Sequence, residues 1–350
     1  MASCLQCLRW RRGILRLHRG CMMCYSAMVR ADYQNFVREY GAKLSLKDFY
    51  DIFWRRLEDR KLDVLRSAET AFSTPQSEDE RAIQALVARH AEARLIELRA
   101  DLEKQTARLV AAEAKLLKKV TKLATNEKRI ALKKIPWLQG HIDDLQRTHA
   151  LASDSRFFPG EFVPVMVMEG GERVLKPMRF RLRPPHVPPS FDTEYEGTYN
   201  ARRNKLKAFW RELYGSCRAV VVLKNFFEHV PRHMAEGRAL QPGEFIKDAV
   251  VEFRPEPEQY LHAACLWARW TGPGQPDLLS FALITDEPPD EVRAAGHDRC
   301  IIPIRREDID AWLDPSQHDL DALDIILDSK ARPYYRHTIV AGPVEPDKEE

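Results

Sequence analysis

The chain has 350 residues, about two domains' worth of material at roughly 150 residues each, and 44% of them are apolar, an ordinary share for a globular protein. Fifty-five basic and 52 acidic residues leave a net charge of +3, which excludes a histone-like polycation and confines any nucleic-acid binding to local patches. No apolar run approaches the ~20 residues of a membrane-spanning helix, and 9% aromatic content excludes wholesale disorder.

The first 23 residues carry Arg9, Arg11, Arg12, Arg16 and Arg19 and no acid. Arginines interrupt any apolar segment, so this is not a secretory signal, although the composition also suits a transit peptide. Met22 and Met23 offer alternative starts, and residues 1–23 are read as an extension from a misassigned start, or one that is removed. The seven cysteines are an odd number with no secretory signal, which points to a reducing, cytoplasmic compartment. Cys4-x-x-Cys7 and Cys21-x-x-Cys24 approach the spacing of a four-cysteine zinc site. The Gly or Pro knuckle residues of such a site are missing, so incidental thiols are the preferred reading, and no metal or cofactor is assigned.

Residues 28–72 carry apolar side chains at three- and four-residue intervals and predict helix. A break follows at Ser73-Thr74-Pro75-Gln76-Ser77, and Ser77 with Glu80 has the spacing of a capping box. Residues 78–134 then predict one long charged helix, part of a helical insertion over 76–150. Leu95, Leu102, Leu109, Leu116 and Leu123 recur every seven residues, but the partner positions Leu98, Gln105, Ala112 and Lys119 are poor, giving half a coiled coil. The insertion is expected either to bind a partner or to self-associate; a solvated single helix is the alternative.

From about Phe157 short strand-like runs replace helical ones: 162–168, 174–182, 219–226, 249–253, 263–270, 278–284 and 300–304. Helical patches are predicted at 200–214, 288–295 and 306–313, and a loose tail from 331 to 350. The order gives an α+β fold with a mainly antiparallel, barrel-like sheet, flanking helices and the long helical insertion.

Cys24 has a chemical use if synthesis begins at Met23. Removal of methionine leaves an N-terminal cysteine with an amine and a thiol on adjacent carbons. Its α-amine has a pKa near 7.7–8.0 against about 10.4 for lysine, so roughly a tenth is neutral at pH 7. Such an amine forms a Schiff base with an aldehyde, and the thiol then closes a thiazolidine.

Met23-Cys24-Tyr25-Ser26-Ala27 resembles the start of the SOS response-associated peptidase (SRAP) family, the abasic site processing proteins. Three blocks follow in the family's order: Tyr199-Asn200-Ala201-Arg202, Cys217-Arg218 through Lys224-Asn225-Phe226-Phe227-Glu228-His229, and Gly296-His297-Asp298-Arg299 through Pro303, followed by Trp312-Leu313-Asp314. The resemblance covers about 24–330 apart from the insertion. It implies covalent capture of abasic sites in single-stranded DNA, in a cytoplasmic, nucleoid-associated response to DNA damage. By position, Cys24 would be the crosslinking nucleophile, Asn200 would orient the amine or the opened sugar, Glu228 would shuttle protons, and His297 would be the general acid/base. A histidine suits that role because it both donates and accepts protons near neutrality.

DNA contacts are expected from Arg179, Phe180, Arg181, Arg202 and Arg203. Met178, Phe180 and Leu182 alternate with Arg179, Arg181 and Arg183, which puts three arginines on one strand face. The chain departs from the family where Tyr25 and Ser26 replace Gly and Arg, Phe180 a Trp, Arg181 a Gly, and His229 a Trp. Taken singly, Asn200 reads as a helix N-cap, Glu228 as a surface charge and His297 as part of a polar turn. Two other functions are carried: a thiol peptidase using Cys24 and His297, and a non-catalytic zinc or coiled-coil binding protein.

Overall fold

The structure, a computed structural model, describes residues 26–30 and 33–340. Cys4, Cys7, Cys21 and Cys24 lie outside the described residues. Two compact units are distinguished: one comprises residues up to Asp48, Asp63–Ala71 and those from Ser155 on, the other Phe49–Leu62 and Phe72–Asp154.

The stretch predicted as helix over 28–72 is broken into β1 (Ser26–Val29), α1 (Tyr33–Tyr40), β2 (Lys43–Leu44), α2 (Leu46–Glu58) and α3 (Arg66–Thr70). Gly41 ends α1 at φ +59, a left-handed turn that side chains disfavour.

In the second unit, the single helix predicted over 78–134 is a hairpin of α4 (Glu78–Lys118) and α5 (Lys122–Gln146). Ser77 Oγ accepts the Glu80 N–H at 3.2 Å, as its spacing predicts, and starts α4. Lys119 turns extended and stops it. Thr121 Oγ1 then accepts the Ala124 N–H at 3.2 Å and starts α5. The seam differs from the predicted leucine row. Among the buried positions, Leu98, Gln105 and Ala112 of α4 and Ala124, Ala131 and Leu138 of α5 recur at seven-residue spacing. Three of the four positions that look poor as coiled-coil partners, all but Lys119, are therefore on the contact line. Small alanines let the backbones approach near the turn, while Leu98, Leu138 and Ile142 form an apolar cluster flanked by Leu95 and Leu102.

The first unit is built on β3 (Arg156–Phe157), β4 (Phe162–Glu169), β5 (Glu172–Phe180), β6 (Asn200–Arg202), β7 (Arg218–Pro231), β8 (Asp248–Glu256), β9 (Leu261–Gly272), β10 (Gln275–Asp286), β11 (Cys300–Ile301), β12 (Pro303–Ile304) and β13 (Tyr334–Ile339). Pairings β9–β10, β10–β5, β5–β4, β4–β7 and β7–β9 return to their starting strand and close a barrel. Most pairs are antiparallel; β10 runs parallel to β5 and β6, and β2 to β5. Phe157, Phe180 and Phe281 pack ring against ring inside, with centroids 5.0–6.4 Å apart.

Short helices α6 (Phe191–Glu194), α7 (Arg211–Ser216), α8 (Arg232–Ala235), α9 (Asp290–Ala294), α10 (Ile309–Leu313) and α11 (Leu320–Asp328) flank the sheet. Two local expectations are corrected. Residues 200–202 form β6 rather than the start of a helix, because Asn200 and Ala201 pair with Leu283 and Ile284 of β10. Residues 334–339 are not loose: β13 pairs with β8 from Tyr334 opposite Glu256 to Ile339 opposite Val251. Buried Arg218 ties the C-terminal region to β7, donating to the carbonyls of Tyr214, Trp312, Asp314 and Gln317. Among the described residues, no helix is long and apolar enough to cross a membrane.

Candidate active site

Glu228 comes from β7, whose long apolar run carries it into the barrel wall opposite Val251 of β8. His297 follows α9 in a turn made by Gly296 at φ +102. A Cβ there would sit 2.9 Å from Met234 Cβ, so glycine alone fits. The turn brings His297 Nε2 to 3.3 Å from Glu228 Oε2, and both side chains are fully buried. His297 Nδ1 lies 2.9 Å from the Arg299 carbonyl oxygen. A carbonyl accepts only, so Nδ1 carries the proton and Nε2 faces the carboxylate.

Asn200, also buried, stands on β6 against Leu283 of β10. The same β10 pairs through Thr285 and Asp286 with Ile301 and Cys300, just beyond His297. One strand thus sets both Asn200 and the segment that follows the histidine.

The strand after Cys24 is fixed at the same wall. Ser26 of β1 is opposite Phe227, the neighbour of Glu228, and Ala27 is opposite Phe226. Arg156 Nε and Nη2 donate to Ser26 Oγ at 3.1 and 3.0 Å, and the guanidinium lies 3.7 Å from the centre of the Phe227 ring. The sequence reading missed Arg156, which shows no signal beyond being a lone cation before two phenylalanines. Buried Asn225, quoted in the second family block without a role of its own, donates its amide to Glu252 of β8.

A family model described as SOS response associated peptidase (SRAP) matches residues 120–347. The chain belongs to the SRAP family. That membership supports a role associated with DNA damage. The match includes Asn200, Glu228 and His297 and begins after residue 24. Among solved structures, this SRAP chain is similar to a protein from Bordetella bronchiseptica (16% identity over 53% of this chain and 87% of that one, TM-score 0.42). A protein from Bacteroides thetaiotaomicron (15%, 53% and 77%, TM-score 0.41) and a phage-related protein from Bordetella bronchiseptica (17%, 54% and 82%, TM-score 0.40) are also similar. Among curated proteins, none matches it.

The residues expected to contact DNA are placed differently from one another. Phe180 is fully buried, with Phe157, Tyr199 and Phe281 around it, and offers no surface to a base. Arg179 and Arg183 converge on Asp192 instead of lining an open face. Arg203 pairs with Asp286 and, at 2.7 Å, with Asp328. Arg181 and Arg202 are half-buried. The three-arginine stripe expected from strict alternation fails because β5 ends at Phe180 and Asp192 draws two of the three inward.

The buried thiols are unsuited to attack. Burial pushes Cys300 up to about 12, with the Glu228 carboxylate adding to the shift, and burial also raises Cys265.

Proposed function

We propose that this SRAP protein captures abasic sites in single-stranded DNA through Cys24. The Glu228–His297 pair carries the reading: a buried carboxylate and imidazole 3.3 Å apart are suited to moving protons at one electrophile. Cys24 precedes Ser26 by two residues, a span of at most about 7 Å in extended chain, and Ser26 is opposite the neighbour of Glu228.

The step balances without a redox partner. The neutral α-amine of Cys24 adds to the aldehyde carbon of the opened sugar, and the carbinolamine loses water to give an imine. The thiol then adds to the imine carbon, its proton passes to nitrogen, and a thiazolidine closes. The adduct is the sum of protein and DNA less one water. His297 and Glu228 deliver the proton that water needs on leaving and accept the one the amine sheds. Asn200 orients the amine or the sugar, and Arg181 and Arg202 contact phosphate. The amine must be free, so residues 1–23 are absent from the active form, through initiation at Met23 or self-cleavage before Cys24.

Cys24→Ser tests the division of labour. It keeps the amine and loses the thiol, so its DNA adduct should survive only when trapped by borohydride, whereas the Cys24 adduct should persist untreated. A Cys24→Ser adduct as durable as the parent's would remove the thiazolidine. A thiol peptidase using Cys24 and His297 would instead cleave peptide bonds with no free amine at Cys24.

A further inference from the structure

Several cations of the barrel unit are spent within it: Arg179 and Arg183 on Asp192, Arg203 on Asp286 and Asp328, Lys207 on Asp321 and Asp324. A dense group of open cations lies on the hairpin. Residues 114–134, the distal part of the α4–α5 hairpin, hold eight lysines and arginines and one acid, Glu127. The chain as a whole is only +3, so the rest of it is net acidic.

Two pairs, Lys115 with Glu127 and Lys128 with Glu113, tie the helices together below the turn. No acid pairs with Lys118, Lys119, Lys122 or Lys133 among the described residues. Lys122, Arg129 and Lys133 are spaced seven and four residues apart, so they share one face of α5 and extend about 16 Å from the turn. At the turn itself Leu117, Val120 and Leu123 are 90%, 79% and 68% exposed.

We propose that this end of the hairpin binds single-stranded DNA, with the cation row along the phosphates and the three aliphatic side chains against unstacked bases. A row running up a helix fits a linear polyanion, whereas a lipid surface would meet the tip alone. A duplex hides its base faces, and a single strand presents them. A second copy of the tip would bring the same charge and be repelled. This surface is distinct from the Glu228–His297 pair and needs no aldehyde, so it stands whether or not Cys24 reacts.

The test is fluorescence anisotropy of the full chain with an undamaged oligothymidylate, titrated at several salt concentrations. Lys122→Ala/Arg129→Ala/Lys133→Ala should weaken binding about tenfold or more at low salt. It should also flatten the slope of log affinity against log salt by about two, since each single-strand phosphate contact contributes roughly 0.7. The charge-keeping variant Lys122→Arg/Arg129→Lys/Lys133→Arg should keep the parent's slope, which separates lost charge from lost folding. Unchanged affinity and slope in the alanine variant would overturn the proposal. So would a parent chain that ignores the oligonucleotide but sediments with phosphatidylserine vesicles.

Discussion

The imidazole of His297 and the carboxylate of Glu228 meet at 3.3 Å with neither side chain exposed, and the Arg299 carbonyl holds the far side of the ring. In this arrangement the ring keeps Nδ1 as donor and turns Nε2 to the carboxylate.

Glu228→Gln and His297→Ala should each slow adduct formation with abasic single-stranded DNA by about 100-fold, the usual scale for losing one general acid/base. Single-turnover gels read the rate directly. Glu228→Gln preserves shape, so a parental rate in that variant would leave the carboxylate without a chemical role.

Arg218 is expected to matter for stability. It is buried and satisfies four carbonyls, including Trp312 at 2.7 Å and Tyr214 at 2.8 Å. Arg218→Met strands those acceptors and should cost about 3 kcal/mol or more, measured by urea unfolding. Arg218→Lys reaches fewer of them and should fall between. A loss under about 1 kcal/mol for methionine would show that the C-terminal segment is held otherwise.

Acidity should affect stability through Glu161. Burial, then the Asp63 carboxylate beside it, pushes this carboxyl up to about 8. Its unfolded value is near 4.3, so the folded chain holds an extra proton between those limits. That contribution is complete at acid pH and is lost as pH rises toward and through 8. Glu161→Gln keeps an acceptor for the Phe158 N–H and carries no charge. It should melt with the parent near pH 4 and above it at pH 9, by a margin of a few kcal/mol, at about 1.4 kcal/mol for each unit by which the folded value exceeds the unfolded one. Equal melting at both pH values would mean that Glu161 ionises freely.

The hairpin seam offers a packing test. Ala131 is fully buried between the helices, whereas Leu117 is 90% exposed. Ala131→Leu should overpack the seam and cost about 1–3 kcal/mol. Leu117→Ala should change stability by less than about 0.5 kcal/mol. Thermal melts by circular dichroism check both; the reverse order would contradict a seam that runs through Ala131.

The strand runs between 162 and 304 were legible because each is an apolar run set off by a nearby Pro or Gly, and pairing extended most of them by a few residues; β1, β2, β6 and β13, short or polar, were not. The hairpin turn was not, since Lys119-Val120-Thr121 contains neither Gly nor Pro and the Thr121 cap resembles any other threonine in a polar helix. Gln105 and the buried alanines were discounted by hydrophobicity, although small side chains are what close helix packing admits. Glu228 and His297 were picked out by family blocks, not by pattern; only the Gly296 turn shows how residues 69 positions apart come to touch. The arginine stripe misled because local alternation carries no information about Asp192, which neutralises it from another element.

The central claim is tested most directly by intact-protein mass spectrometry of the chain begun at Met23, mixed with single-stranded DNA bearing one abasic site. Cys24→Ala and the chain with residues 1–23 retained run alongside. The account predicts a methionine-free protein that gains the DNA mass less one water, with no such durable product from Cys24→Ala or from uncleaved chain. A Met23-started protein that exposes Cys24 and still gains no mass would contradict it.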